Sequence, residues 1–200
     1  MSESPSMFRV TPILSVLLLP LTVHGGAAPA VDPWDRWAVD LEVASLWQAG
    51  TSTDINYLLL PVMISLRSPA HIRLDFDDGS LLTVRARASL QLTSIVRGPE
   101  SLYAALSFSP VAEYWTSRRW CFYVTAGGGA GVIDSRGVPG GQGQDFTWNW
   151  FAGAGARWCF SETGSCHAGV MFQHMSNRGA TDPNPGIDAV GPVLGLSWSF

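Results

Sequence analysis

The chain has 200 residues and a formal net charge of −4, with 46% hydrophobic and 14% charged residues. Its length fits one domain, and its slightly acidic balance argues against a nucleic-acid-binding surface. Since no apolar run reaches the roughly 20 residues of a membrane-spanning helix, this composition fits either a soluble protein with a large core or a β-barrel that spans a membrane.

The N-terminal residues are predicted to be a signal peptide. Arg9 precedes an apolar run of about 14 residues, "VTPILSVLLLPLTV", and the small residues of "HGGAAPA" follow it. The run is too short to span a membrane as a helix, so we favour cleavage near Ala28 or Ala30, with a short helical anchor as the alternative. The predicted organisation is a signal peptide over residues 1–30 and one β-barrel domain over residues 31–200.

The rest of the chain alternates between apolar and polar residues with a period of two. In residues 37–47 one face is apolar and the other carries Asp40 and Glu42. The alternation recurs in residues 82–93 and 146–160, the last with tryptophans on one face. Strict alternation indicates β-strands. Strands of about 11–15 residues with one apolar, aromatic-ended face are typical of transmembrane barrels.

This pattern predicts eight strands. Their approximate bounds are 36–48, 55–67, 80–96, 102–116, 119–133, 145–160, 165–177 and 187–200. In the second, "INYLLLPVMISL" is apolar on both faces, and the following "HIRLDFDDGS" either extends the strand or forms a turn. An even strand number fits bacterial barrels. The predicted fold class is therefore all-β, an eight-stranded antiparallel transmembrane β-barrel of the outer membrane, with a soluble barrel or sandwich as the alternative.

The connections predict which end of the barrel faces the cell exterior. With the N-terminus in the periplasm, the turns after strands 2, 4 and 6 are periplasmic, and the longer loops 135–145 and 178–186 are external. The last strand ends on Phe200, which resembles the C-terminal signal of bacterial outer-membrane proteins.

Three cysteines fall at the predicted periplasmic ends of strands. A disulfide between Cys159 and Cys166 is chemically allowed in an exported protein, Cys121 is a competing partner, and one thiol remains unpaired. Metal binding by Cys159, Cys166 and His167 is a further alternative, but this set lacks a fourth ligand. We expect structural cysteines, no metal site and no organic cofactor.

The segment "HMSNRGATDPNPGID", residues 174–188, brings three reactive side chains to one predicted barrel edge. His174 and Ser176 share the parity of the outward-facing apolar residues of the seventh strand, and Asp188 shares that of the eighth. Ionisable groups on a lipid-facing wall are costly, so they call for a functional explanation. Positions two apart on a strand lie about 6.5–7 Å apart, which suits an imidazole leaning toward a hydroxyl.

This arrangement predicts acyl-transfer chemistry. Ser176 is the predicted nucleophile, His174 the base, and Asp188 the acid that orients the imidazole. An oxyanion hole needs hydrogen-bond donors. The nearby candidates, among which the sequence does not choose, are Asn177, Asn184 and the backbone around Gly179. The alternative is a polar turn whose side chains lie at the membrane interface.

The longer segment "FQHMSNRGATDPNPGID" resembles the motif of the outer-membrane lipid A 3-O-deacylases of the PagL type. The matching positions are His174, Ser176, Asn177, Asn184, Gly186 and Asp188. The rest of the chain resembles that family in architecture. The resemblance implies an eight-stranded barrel with a Ser-His-Glu triad on its outer wall, which cleaves the ester-linked 3-hydroxyacyl chain at the 3-position of lipid A. Asp188 stands where that family has glutamate.

The resemblance also implies lipid A of lipopolysaccharide, in the outer leaflet, as the partner, and the bacterial outer membrane as the location. Another acyl ester, such as a phospholipid, is an alternative substrate. A small barrel without enzymatic activity, serving adhesion or envelope stability, is an alternative function, but it has no need of three outward polar residues. The sequence leaves open whether the barrel forms a homodimer.

Overall fold

A computed structural model describes residues 32–50 and 53–200. The predicted signal peptide lies outside the described residues. A 3-10 helix, Pro33–Asp35, precedes one antiparallel sheet. Its strands are β1 (Ala38–Ala44), β2 (Leu46–Gln48), β3 (Leu58–Asp75), β4 (Leu81–Arg97), β5 (Leu102–Trp115), β6 (Trp120–Ile133), β7 (Phe146–Cys159), β8 (Gly164–Ser176) and β9 (Ile187–Ser199). Within the described ranges, no helix is long and apolar enough to cross a membrane.

Strands β1 and β2 are two parts of one barrel strand. Both pair with β3 on one side and with β9 on the other, and each register is the same before and after Ser45. The pairing of β1 and β2 with β9 closes the sheet into a ring of eight barrel strands. The predicted eight-stranded antiparallel barrel is confirmed.

The largest difference from the predicted strands concerns the second, which was expected over residues 55–67. β3 instead continues to Asp75. The first five residues of "HIRLDFDDGS" keep the alternation, and the pairing with β4 ends where Asp75 is opposite Leu81. The register shifts between Arg67 and Ile72, around Pro69, which has no N–H for the ladder. A tight turn closed by the Phe76 N–H to the Ser80 carbonyl follows, at 3.0 Å.

The connections distinguish two ends of the barrel. The loop end carries residues 49–50 and 53–57 and the connections 98–101, 134–145 and 177–186, and the turn end carries the connections 76–80, 116–119 and 160–163. The 3-10 helix covers the turn end, where Trp34 is buried and meets Trp115 edge-to-face with ring centroids 5.2 Å apart. The N-terminal part of the described chain therefore closes this end of the barrel.

Side chains face outward or inward as their parity predicts. On β7, Trp148, Trp150 and Trp158 are exposed, while Thr147 and Asn149, the two chain neighbours of Trp148, are buried. An apolar outer wall with aromatic rings near both ends is the pattern of an outer-membrane barrel. The barrel interior is filled by side chains, as eight strands require.

The interior has a charged region and an apolar region. Toward the turn end, Arg67 forms ion pairs with Asp40 and Glu113, and Arg157 lies 3.5 Å from Asp40. Toward the loop end, buried apolar side chains pack together, among them Leu46, Tyr57, Leu59, Tyr103, Met175 and Ile187. The part of the barrel interior nearest the loop end is therefore a packed apolar core.

The possible disulfide between Cys159 and Cys166 is not formed, and Cys121, Cys159 and Cys166 are all free. Cys159 faces inward beside Cys121, Trp34 and Trp115. Cys159 is opposite Ser165, whereas Cys166 is opposite Trp158. Because neighbouring positions on a strand point to opposite faces, these two thiols are separated by the barrel wall.

The alternative metal set of Cys159, Cys166 and His167 is separated in the same way. His167 faces inward, and its Nε2 lies 2.9 Å from Glu42 Oε1, while Cys166 faces outward. Among residues 32–50 and 53–200, no group of three or more His, Cys, Asp or Glu side chains is arranged to hold a metal ion.

Candidate functional site

His174, Ser176 and Asp188 lie together on the outer wall at the loop end. His174 of β8 is directly opposite Asp188 of β9, and its Nδ1–H donates to Asp188 Oδ1 at 2.7 Å. The other ring nitrogen, Nε2, accepts a hydrogen bond from Ser176 Oγ at 3.0 Å. The imidazole thus links the carboxylate to the hydroxyl through both of its nitrogens.

Because Asp188 lies directly opposite His174, its short side chain reaches the imidazole. Residues directly opposite on antiparallel strands have Cβ atoms about 4.5–5.5 Å apart. From that position, one methylene brings the carboxylate within 2.7 Å of the imidazole. The difference from the glutamate implied by the resemblance therefore leaves the contact between acid and histidine in place.

Neighbouring elements shield two sides of the acid and the imidazole. The ring of Trp150 stacks on His174 with centroids 5.8 Å apart. The Ala49 N–H donates to the Asp188 carbonyl at 2.8 Å, and a Cβ at Gly50 would lie only 3.9 Å from Asp188 Oδ2. The His174 and Asp188 side chains remain 26% and 21% exposed, so a molecule outside the barrel wall can still reach them.

The predicted oxyanion donors have different surroundings. Asn177 is buried, its Nδ2 donates to the carbonyls of Gln142 and Thr181, and its Oδ1 accepts from the N–H of Gly179 and Ala180. The Asn177 amide and the Gly179 N–H therefore hold the 177–186 loop in shape. Asn184 Oδ1 accepts from the Asn177 N–H at 2.9 Å. Within the part of the chain that the structure describes, Asn184 Nδ2 makes no hydrogen bond.

A buried carboxylate that the sequence pattern did not reveal joins the loops under this site. Glu100, 3% exposed, accepts hydrogen bonds from the Tyr57 hydroxyl at 2.9 Å, and from Ser135 Oγ and the Gln142 N–H at 3.0 Å each. Burial and the charge of Glu100 raise the pKa of Tyr57 above its ordinary value, which keeps the phenol a donor. The Gln142 carbonyl in turn accepts from Asn177 at 2.6 Å.

These contacts connect all four segments of the loop end: residues 53–57, 98–101, 134–145 and 177–186. We call the set of Tyr57, Glu100, Ser135, Gln142 and Asn177 the loop network. Its members are far apart in the chain and show no common motif. The sequence signal that could have indicated it is a lone acid, Glu100, in a short connection between two long strands.

Comparisons with known proteins agree with the predicted family and fold. A family model described as lipid A 3-O-deacylase (PagL) matches residues 30–197. The lipid A deacylase PagL of Bordetella bronchiseptica is 34% identical over 110 residues, which are 54% of this chain and 58% of that protein. The matched region thus spans little more than half the length of this curated relative.

Two solved structures share the barrel fold. The crystal structure of the outer membrane enzyme PagL has a TM-score of 0.55 at 20% identity, covering 79% of this chain and 97% of that one. The crystal structure of Neisserial surface protein A has a TM-score of 0.53 at 11% identity, covering 82% and 97%. At these identities, the likeness concerns the fold alone.

Proposed function

From the premise that this chain belongs to the lipid A 3-O-deacylase (PagL) family and is an outer-membrane β-barrel, we propose that it hydrolyses the 3-O-linked hydroxyacyl ester of lipid A with a Ser-His-Asp triad. The observation that carries the proposal is the continuous hydrogen-bonded series from Ser176 Oγ through His174 to Asp188 on the outer wall. Polar and ionisable groups on a lipid-facing surface cost free energy, so three of them together call for a functional explanation.

In the first half of the reaction, Ser176 Oγ attacks the ester carbonyl carbon while His174 Nε2 takes the hydroxyl proton. Asp188 accepts the hydrogen bond from Nδ1–H and stabilises the imidazolium. The tetrahedral intermediate collapses, the sugar hydroxyl leaves with the proton from His174, and the acyl chain stays bound to Ser176.

In the second half, water attacks the acyl-enzyme. His174 Nε2 takes a proton from that water and returns it to Ser176 Oγ, and the 3-hydroxy fatty acid leaves. No step of this mechanism uses a metal or an organic cofactor.

We assign oxyanion stabilisation to Asn184. Its Nδ2 has no partner within the described residues, and its Oδ1 accepts a hydrogen bond from the Asn177 N–H at 2.9 Å, which restrains the amide. Asn177 and Gly179 then act as supports of the loop that carries this donor. Removal of one oxyanion donor typically lowers kcat by about 10²–10³-fold.

The location of the site suits a lipid substrate. Exposed aromatic residues, among them Phe146, Trp148 and Trp150, surround it on the outer wall, and such rings mark the membrane interface. We infer that the loop end faces the cell exterior, so that lipid A in the outer leaflet reaches Ser176 laterally. The filled interior provides no route for a substrate through the barrel.

The test is mass spectrometry of lipid A from cells that express the wild type, Ser176→Ala, His174→Ala or a matched control. Ser94→Ala is that control, because Ser94 is an exposed serine of another strand near the loop end. We expect the wild type and Ser94→Ala to release a 3-hydroxy fatty acid, and the triad variants to lose at least about 10³-fold in rate. Equal release by Ser176→Ala would contradict the assignment.

A further inference from the structure

Arg178 is the first exposed residue after the strand that carries Ser176. Its backbone has a φ of 57°, in the left-handed region that residues other than glycine seldom adopt. The Asn177 side chain maintains this turn by accepting the N–H groups of Gly179 and Ala180 at 2.8 and 3.1 Å. The loop therefore defines where the Arg178 side chain leaves the barrel.

The guanidinium of Arg178 lies over an aromatic ring next to the nucleophile. Its Cζ is 5.2 Å from the centroid of Trp148, and Trp148 is directly opposite Ser176 in the β7–β8 pair. Stacking occupies the face of a guanidinium and leaves the N–H donors at its edge available. The cation is thus held beside Ser176 with its donors free to bind.

No carboxylate in the described ranges neutralises Arg178. Another loop-end arginine, Arg136, lies 3.6 Å from Asp145, and the acid of the triad, Asp188, accepts from His174. Arg178 forms no ion pair or hydrogen bond with any described residue. An arginine without an acidic partner at the level of the interfacial aromatic rings can bind an anionic lipid headgroup.

We propose that Arg178 forms an anion subsite that binds a phosphate group of lipid A beside the ester under attack. The proposal rests on the proposed function, because lipid A is an acylated glucosamine disaccharide that carries phosphate. A guanidinium binds phosphate through paired, charge-assisted N–H···O bonds. Held in this way, the disaccharide is fixed next to Ser176, and the enzyme prefers phosphorylated lipid A over neutral acyl esters.

The kinetic test uses the purified full chain in detergent micelles with lipid A that lacks core sugars, either phosphorylated or dephosphorylated. A neutral p-nitrophenyl ester is the third substrate. Because hydrogen bonds to charged groups are strong, we expect Arg178→Ala to raise KM for phosphorylated lipid A about tenfold, more than it changes kcat. The ratio of kcat/KM for phosphorylated lipid A to that for the neutral ester falls by a similar factor.

Two further variants control for charge and for folding. Arg178→Lys keeps the charge but not the planar fork, so its preference for the phosphorylated substrate should lie between those of the wild type and Arg178→Ala. Arg136→Ala removes an exposed loop-end arginine and should keep the wild-type preference. A wild-type enzyme without that preference, or a preference that persists in Arg178→Ala, would overturn the subsite.

A binding measurement separates this proposal from the proposed function. In the Ser176→Ala background, phosphorylated lipid A should bind about tenfold more tightly than the dephosphorylated form. The difference should disappear with Arg178→Ala added and persist with Arg136→Ala added. This pattern in a protein whose wild type hydrolyses no lipid A would support the subsite and refute the esterase. Hydrolysis by the wild type without the binding difference would support the esterase and refute the subsite.

Discussion

At position 188, the strand register compensates for an acid that is one methylene shorter than glutamate. The residue is the direct cross-strand neighbour of His174, so its carboxylate reaches Nδ1 at 2.7 Å. A glutamate at this position has an extra methylene and must bend to make the same contact. The geometry thus favours aspartate here, although triads accept either acid.

We therefore predict different outcomes for two substitutions of Asp188. Asp188→Asn cannot stabilise the imidazolium and favours the wrong tautomer of His174, so the rate of 3-hydroxy fatty acid release should fall about 10³–10⁴-fold. Asp188→Glu keeps the charge and should retain clearly more activity than Asp188→Asn. Both rates are measured on purified protein with lipid A. A wild-type rate for Asp188→Asn would show that this acid has no part in the reaction.

At the scale of elements, the loop network determines the shape of the loop end. Glu100 accepts hydrogen bonds from Tyr57, Ser135 and Gln142, and Gln142 contacts Asn177, the residue after the nucleophile. The four loop segments are therefore coupled, and the positions of Asn184 and Arg178 depend on contacts that reach back to Tyr57, 127 residues before Asn184.

Replacement of Glu100 should loosen this end of the barrel. Glu100→Ala leaves the buried hydroxyls of Tyr57 and Ser135 without their acceptor, at about 1–3 kcal/mol for each group left unsatisfied, whereas the Gln142 N–H still donates to Ser135 Oγ. We expect faster proteolysis of the loops and a lower rate of lipid A deacylation, with the strands still folded. Glu162→Ala, which removes an exposed acid at the turn end, is the control and should behave as the wild type. Unchanged proteolysis of Glu100→Ala would exclude this role for the loop network.

For the whole molecule, the charged region of the interior is the part most sensitive to substitution. Arg67 is buried and forms ion pairs with two buried acids, Asp40 and Glu113. Loss of one member of such a group leaves uncompensated charge inside the protein, which costs more than the intact pairs contribute.

Arg67→Met should therefore lower the free energy of unfolding by about 3–5 kcal/mol. Arg136→Met breaks an exposed pair with Asp145 and should cost less than about 1 kcal/mol. Urea titration of the refolded barrels in detergent micelles measures both values. Equal stability of the two variants would mean that the acids near Arg67 are compensated by their other partners, such as Arg157.

The sequence by itself determined the barrel and the face on which the candidate site lies. Alternation with a period of two is a local property, since it needs only neighbouring residues to point to opposite sides. It predicted the eight strands, the outward aromatic wall and the shared outward face of His174, Ser176 and Asp188. It also placed Cys159 and Cys166 at the same end of the barrel, but their parities put one thiol inside the barrel and the other outside, which excludes a disulfide between them.

Only the tertiary structure decided how far β3 extends, which donors near Ser176 are already engaged, and what surrounds Arg178. Pairing with β4 carries β3 to Asp75. Closure of the barrel brings Tyr57, Glu100, Gln142 and Asn177 together. These contacts join residues with no periodic relation in the chain, so no local pattern records them. The strands follow from an alternation that each segment carries, whereas the loop end exists only once all strands have closed the ring.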